Sequence, residues 1–165
     1  MILSRLWRHI VTDHWSVRRA FPTEALARIQ QAIAQGEARH SGQVRFAVEA
    51  ALPLTLAWRD MKPRERAVDV FSRLRVWDTE ANCGVLVYLL LADKDVEIVA
   101  DRGIDARVDD VLWVAICRRM EEEFRAGRFE AGVVAGVAAI SDLLAEHFPR
   151  TGTGPNELGD EPVIM

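Results

Sequence analysis

The chain has 165 residues, half of them hydrophobic and 28% charged, with a formal net charge of −4. That length suits a single domain with a sizeable core, and the composition excludes a disordered chain. The acidic balance argues against nucleic acid as a partner, because phosphate backbones are bound by concentrated basic surface.

Residues 3–19 set Leu3, Leu6, Trp7, Ile10, His14 and Val17 at helical spacing, with Arg5, Arg8, Arg18 and Arg19 mostly off that stripe. The spacing predicts an amphipathic helix over residues 1–20, where four arginines and one aspartate give a local charge of +3. Docking of the Leu/Trp stripe on the chain's own domain is the expected outcome; a partner helix and a membrane surface are the less favoured readings. Pro22 breaks the pattern, and Thr23 opens a second helix through Leu26, Ile29 and Ile33 that ends between Gly36 and Gly42.

Residues 43–49 alternate polar and apolar side chains, the pattern of a strand with one buried face. Residues 63–74 return to helical spacing through Ala67, Val70, Phe71 and Leu74, with Pro63 in the first turn. Residues 85–91 are apolar on both faces, which predicts a central strand covered by helices on each side. A turn over residues 92–95 leads to a strand over 96–100, and so short a connection predicts an antiparallel hairpin. Two helices close the domain. Leu112, Ile116, Met120 and Phe124 recur every four residues, as do Phe129, Val133 and Val137 on the way to Ile140 and Leu144. The division expected is therefore a helix over 1–20, an α/β domain over 21–150, and an extended tail over 151–165.

The longest apolar runs, 84–92 and 131–140, fall short of the roughly 20 residues that cross a bilayer. No apolar stretch with a cleavage site follows the N-terminus, and Cys83 and Cys117 sit apart in apolar stretches. These features predict a cytoplasmic protein.

Several segments in order resemble the TPM domain, a family named for a thylakoid lumen protein, a photosystem II repair protein and a modulator of nematode acetylcholine receptors. They are IQQAIAQGEARHSGQVRF (29–46), AVDVFSRLRV (67–76), WDTEANCGVLVYLLLADKDVEIVADRGI (77–104) and the closing helices. The Arg/Trp/His-containing N-terminal helix and the tail around Pro155, Asn156, Glu157 and Leu158 are similar to the family's short bacterial cytoplasmic branch. The resemblance implies a mixed sheet of about four strands sandwiched between helices. It also implies divalent-cation binding, as calcium in some relatives, and a phosphatase activity as in a plant member. Cys83 stands where the pattern calls for a small or amide residue, and Gly159 where it calls for proline.

Pairing the hairpin through a two-residue turn at Asp93 and Lys94 brings 78–82 and 101–105 to the same open end of the sheet. Asp78, Asn82, Asp101 and Asp105 then converge beside glycines, the oxygen-rich setting that a hard cation such as Ca²⁺ or Mg²⁺ requires. Arg102 and Thr79 are the matching candidates for contact with a phosphate or other anionic ligand. The alternative is a network of capping aspartates that fastens loop ends. Glu37 and His40, at i and i+3 on one helix, form a secondary metal candidate; a helix C-terminus closed by Gly42 is the plainer reading. Phosphate-loop, nucleophile-elbow, zinc-protease and paired C-x-x-C motifs are all missing, and no organic cofactor is expected. The functional expectation is a binding or accessory module acting with an unidentified protein partner. Metal-assisted phosphomonoester hydrolysis is the alternative.

Overall fold

The computed structural model describes residues 2–152 and 154–165. In chain order the elements are α1 (Ile2–Val11), α2 (His14–Ala20), α3 (Thr23–Glu37), β1 (Gln43–Glu49), α4 (Leu54–Trp58), α5 (Pro63–Arg73), β2 (Gly84–Leu90), β3 (Asp95–Ala100), α6 (Arg102–Asp105), α7 (Asp110–Arg125), α8 (Phe129–His147) and β4 (Val163–Ile164). The strands form one mixed sheet in the order β3-β2-β1-β4. β1 runs parallel to both β2 and β4, and β2 pairs antiparallel with β3.

β2 is buried at every position, as its unbroken apolar run requires of a central strand. Val85, Val87 and Leu89 pack into a core with residues of α2, α3, α7 and α8. Leu86, Tyr88 and Leu90 pack on the opposite face with Leu6 of α1, Ala57 of α4, and Ala67 and Val70 of α5. The α/β sandwich inferred from the pattern is the architecture observed.

Four local expectations need correction. The helix predicted over 1–20 is two helices, because Asp13 caps α2: its carboxylate accepts from Ser16 N–H at 2.9 Å while Ser16 Oγ reaches back to the Asp13 amide. The alternation in β1 suggested one buried face, but Gln43 and Glu49 are buried as well as Val44, Phe46 and Val48. α5 and the tail cover that second face. In α7 the buried residue of the first turn is Trp113, with Leu112 at 40% exposure. The hairpin turns through four residues, 91–94, so that Leu90 pairs with Asp95 and Val85 with Ala100. That register is two residues away from a two-residue turn, so every side chain keeps its predicted face.

The tail is tied down. β4 adds to the free edge of β1 through Ala47 and Val48. Arg45 Nη1 donates to the carbonyls of Leu158 and Gly159. Gln43 Oε1 accepts from Glu157 N–H at 2.8 Å. Gly159 has φ of +70°, which the proline of the resembled pattern cannot adopt.

Candidate functional site

The loop end singled out in the sequence is real as a place. Asp101 N–H donates to Gly84 O at 2.8 Å and Gly103 N–H to Asn82 O at 3.1 Å, which joins the segment before β2 to the segment after β3. Asp101 is buried and caps α6: one carboxylate oxygen accepts from Arg102 N–H at 2.7 Å. Its other oxygen, Oδ2, is buried with no hydrogen-bond partner among the described residues. Thr79 is also buried, and its hydroxyl accepts from Cys83 N–H at 2.9 Å, closing the turn that leads into β2. Asn82 holds that turn with φ of +50°, a left-handed conformation that asparagine tolerates. Asp78, Asn82, Arg102 and Asp105 are exposed, and Asp105 lines a separate cleft between β3 and α7. Of the four oxygen-bearing candidates, Asp101 alone is buried, and the other three are exposed. Among the described residues no group of three or more His, Cys, Asp or Glu is placed to hold a metal ion.

Glu37 and His40 are both buried, and each is occupied separately. Glu37 Oε1 accepts from Val44 N–H at 2.7 Å, which ties the end of α3 to the start of β1. Burial pushes its carboxyl up to about 7, against the pull of that hydrogen bond. His40 Nδ1 lies 3.1 Å from Gly42 O. A carbonyl only accepts, so Nδ1 carries the proton and Nε2 is left as an acceptor, buried without a partner. Burial pushes the imidazole down to about 4, so it is neutral at pH 7.

Two polar clusters escaped the sequence reading. On the second face of the sheet, Glu49 takes a bidentate grip from Arg66: Nε donates at 2.8 Å and Nη2 at 2.7 Å, and Tyr88 OH donates to the same carboxylate at 2.6 Å. Arg66 Nη1 continues to Asp69 at 2.6 Å. Tyr88 is the single tyrosine of the chain, set inside an otherwise apolar strand, and that was the available signal. At the hairpin turn, Asp93 accepts from Arg5 at 2.9 Å and Arg8 at 3.0 Å. It also lies 3.3 Å from His9 Nε2, whose Nδ1 accepts from Leu52 N–H at 3.0 Å. Glu49 lies 17 residues from Arg66 and 39 from Tyr88, and Asp93 lies 88 from Arg5, so no local spacing connects either carboxylate to these partners.

The TPM domain model matches residues 18–143. The chain belongs to the TPM domain family. Among solved structures, the NMR structure of BA42 from the psychrophilic bacterium Bizionia argentinensis is similar over 88% of this chain and 95% of its own. It has 28% sequence identity and a TM-score of 0.78. No curated protein sequence matches the chain. The matched span of the TPM domain holds the central strands, the loop end around Asp101 and most of α8. It leaves α1 and the tail outside. Among the described residues no helix is long and apolar enough to cross a membrane.

Proposed function

We propose that this TPM domain is a binding module whose loop end takes a divalent cation through Asp101, and that it serves a protein partner as an accessory. The observation that supports this is the bare Oδ2 of Asp101. A buried carboxylate oxygen with no donor carries a large desolvation cost unless something positive meets it. Hard cations take carboxylate and carbonyl oxygens together. The carbonyls of Ala81 and Asn82 lie against Gly103 in the same turn, within 2.9 Å of where a Cβ at 103 would stand. Backbone carbonyls and water would complete the shell, because Asp78 and Asp105 are not grouped with Asp101, and Ca²⁺ or Mg²⁺ is the ion class such oxygen donors suit. The alternative, metal-assisted phosphomonoester hydrolysis, rests on Arg102, which is exposed beside the same turn and is free to clamp a phosphate oxygen.

Thermal melting of metal-stripped protein with Ca²⁺, Mg²⁺ or Mn²⁺ tests the proposal. A saturable rise in melting temperature is expected for at least one ion, and Asp101→Asn should abolish it, because an ion that binds only the native state stabilises it by mass action. No response to any of the three ions would refute the cation reading. Turnover of a generic aryl phosphate that depends on the same ion and on Arg102 would favour the hydrolase.

A further inference from the structure

We infer that α1 and α4 form a docking face for an anionic lipid bilayer. An amphipathic helix on a globular domain normally buries its apolar stripe and turns its charges to water. α1 is mounted the other way round. Its polar side grips the domain: Arg5 and Arg8 hold Asp93, Arg5 Nη1 reaches Asp60 at 3.0 Å, and the His9 ring is fully enclosed. Among the described side chains of α1, Leu6 is the one apolar residue buried with the core, while Leu3, Trp7 and Ile10 are 78%, 64% and 56% exposed. On α4 next to it, Leu54 and Trp58 are 53% and 70% exposed. These residues line one apolar cleft of about 610 Å³.

Seven of the twelve large hydrophobic side chains that stand exposed among the described residues belong to α1, α2 and α4. So uneven a distribution marks an interaction surface rather than scattered apolar exposure. Around the cleft Arg5, Arg8, Arg59 and Lys62 stand against Asp60 and Asp93, which leaves a positive excess. Asp93 and Asp60 are each shared between two cations. Arg59, at the cleft, has no ion pair among the described residues, and Arg18 stacks on the exposed Trp15 ring at 5.5 Å. A chain with a net charge of −4 thus presents a positive, tryptophan-rich face.

Tryptophan and arginine beside an aliphatic stripe suit the headgroup and upper acyl region of a membrane. There the indole rings sit half wet and the cations meet phosphate. Two features favour a bilayer over a single peptide: the cleft is broad and open, and tryptophans stand on both of its walls and on α2. α1 lies outside the matched TPM span and α4 inside it, and the cleft shares no lining residue with the Asp101 loop end, so this face is separate from that site.

The test is co-sedimentation of the full chain with phosphatidylcholine vesicles, with and without phosphatidylglycerol, at low and high salt. Tryptophan fluorescence is followed in parallel. Wild type should partition into the phosphatidylglycerol vesicles at low salt, with a blue-shifted emission, and be released as salt screens the arginines. Trp7→Ala and Trp58→Ala should each weaken partition about tenfold, the loss expected when one large apolar side chain no longer inserts. Both side chains are largely solvent-exposed, so the melting temperature of the variants should stay at the wild-type value. Three results would each overturn the inference. One is no partition of wild type at low salt, and another is partition indifferent to phosphatidylglycerol. The third is full partition by the Trp7→Ala/Trp58→Ala double variant. Self-association that the same substitutions abolish, without vesicle binding, would assign the stripe to a second copy of the chain instead.

Discussion

Arg66→Met should be among the most damaging single substitutions in this protein. The guanidinium provides two of the three hydrogen bonds that Glu49 accepts, at 2.8 and 2.7 Å, and the two side chains are only 6% and 7% exposed. Removing it leaves the carboxylate in the core with Tyr88 OH as its remaining donor. An uncompensated buried charge costs about 3–5 kcal/mol. That is a large part of the roughly 5–15 kcal/mol by which domains are stable. For a chain of this size it corresponds to a fall of about 10 °C in melting temperature. Replacing both partners, Glu49→Met with Arg66→Met, should recover much of the loss, because the desolvation penalty of the pair then vanishes with it. Tyr88→Phe should cost less, about 1.5–3 kcal/mol, the worth of one hydrogen bond to a charged acceptor. Burial first, and then the neighbouring carboxylate, push the Tyr88 phenol above its ordinary range, so it stays a donor at every accessible pH. Urea unfolding of wild type, Glu49→Met, Arg66→Met and their double variant, read as a double-mutant cycle with Tyr88→Phe alongside, checks the reasoning. A loss below about 1 kcal/mol for Arg66→Met, or a double variant as unstable as the sum of its parts, would refute it.

The remaining predictions concern pH and the tail. Glu37 holds its proton more tightly in the native state, at about 7 against 4.5, so its contribution is greatest below pH 4.5 and is lost as pH rises through about 7. His40 has the opposite sign: its pKa falls to about 4 from 6.5, so its contribution is present above 6.5 and lost as pH falls toward 4. The two largely offset each other between pH 4.5 and 6.5. Glu37→Gln should therefore unmask a stability that rises by about 2 kcal/mol across that window, measured by urea midpoints at several pH values; profiles parallel to wild type would count against it. Deleting residues 156–165 removes β4 and the donors that meet Gln43, and so bares the β1 edge. Light scattering should then report association, since an unpaired edge strand recruits another chain.

Much of the fold was legible because its signals are local. The apolar run of β2, the four-residue spacing of Ile116, Met120 and Phe124, and Pro63 in the first turn of α5 depend on neighbours within one element. The hairpin mouth was also foreseeable, since a short connection forces 78–82 and 101–105 together whether the turn holds two residues or four. The burial of Asp101, as against the exposure of Asp78 and Asp105, could not be read, because it depends on how α6 folds back over the start of β2. The second face of β1 went wrong for a similar reason. Gln43 and Glu49 look like solvent residues until Arg66 and the tail arrive to satisfy them.

Sequence by itself determined the α/β class, the family and the meeting of residues 78–82 with 101–105, since period, turn chemistry and motif order are properties of contiguous residues. The tertiary structure alone decided which way α1 faces. Its spacing permitted the Leu/Trp stripe to lie inward, but the ion pairs from Arg5 and Arg8 to an aspartate more than 80 residues away turn the helix over and leave Trp7 in water. Helical periodicity specifies that two faces differ. Which face meets the domain is fixed by the partners available on the surface below, and those come from distant parts of the chain.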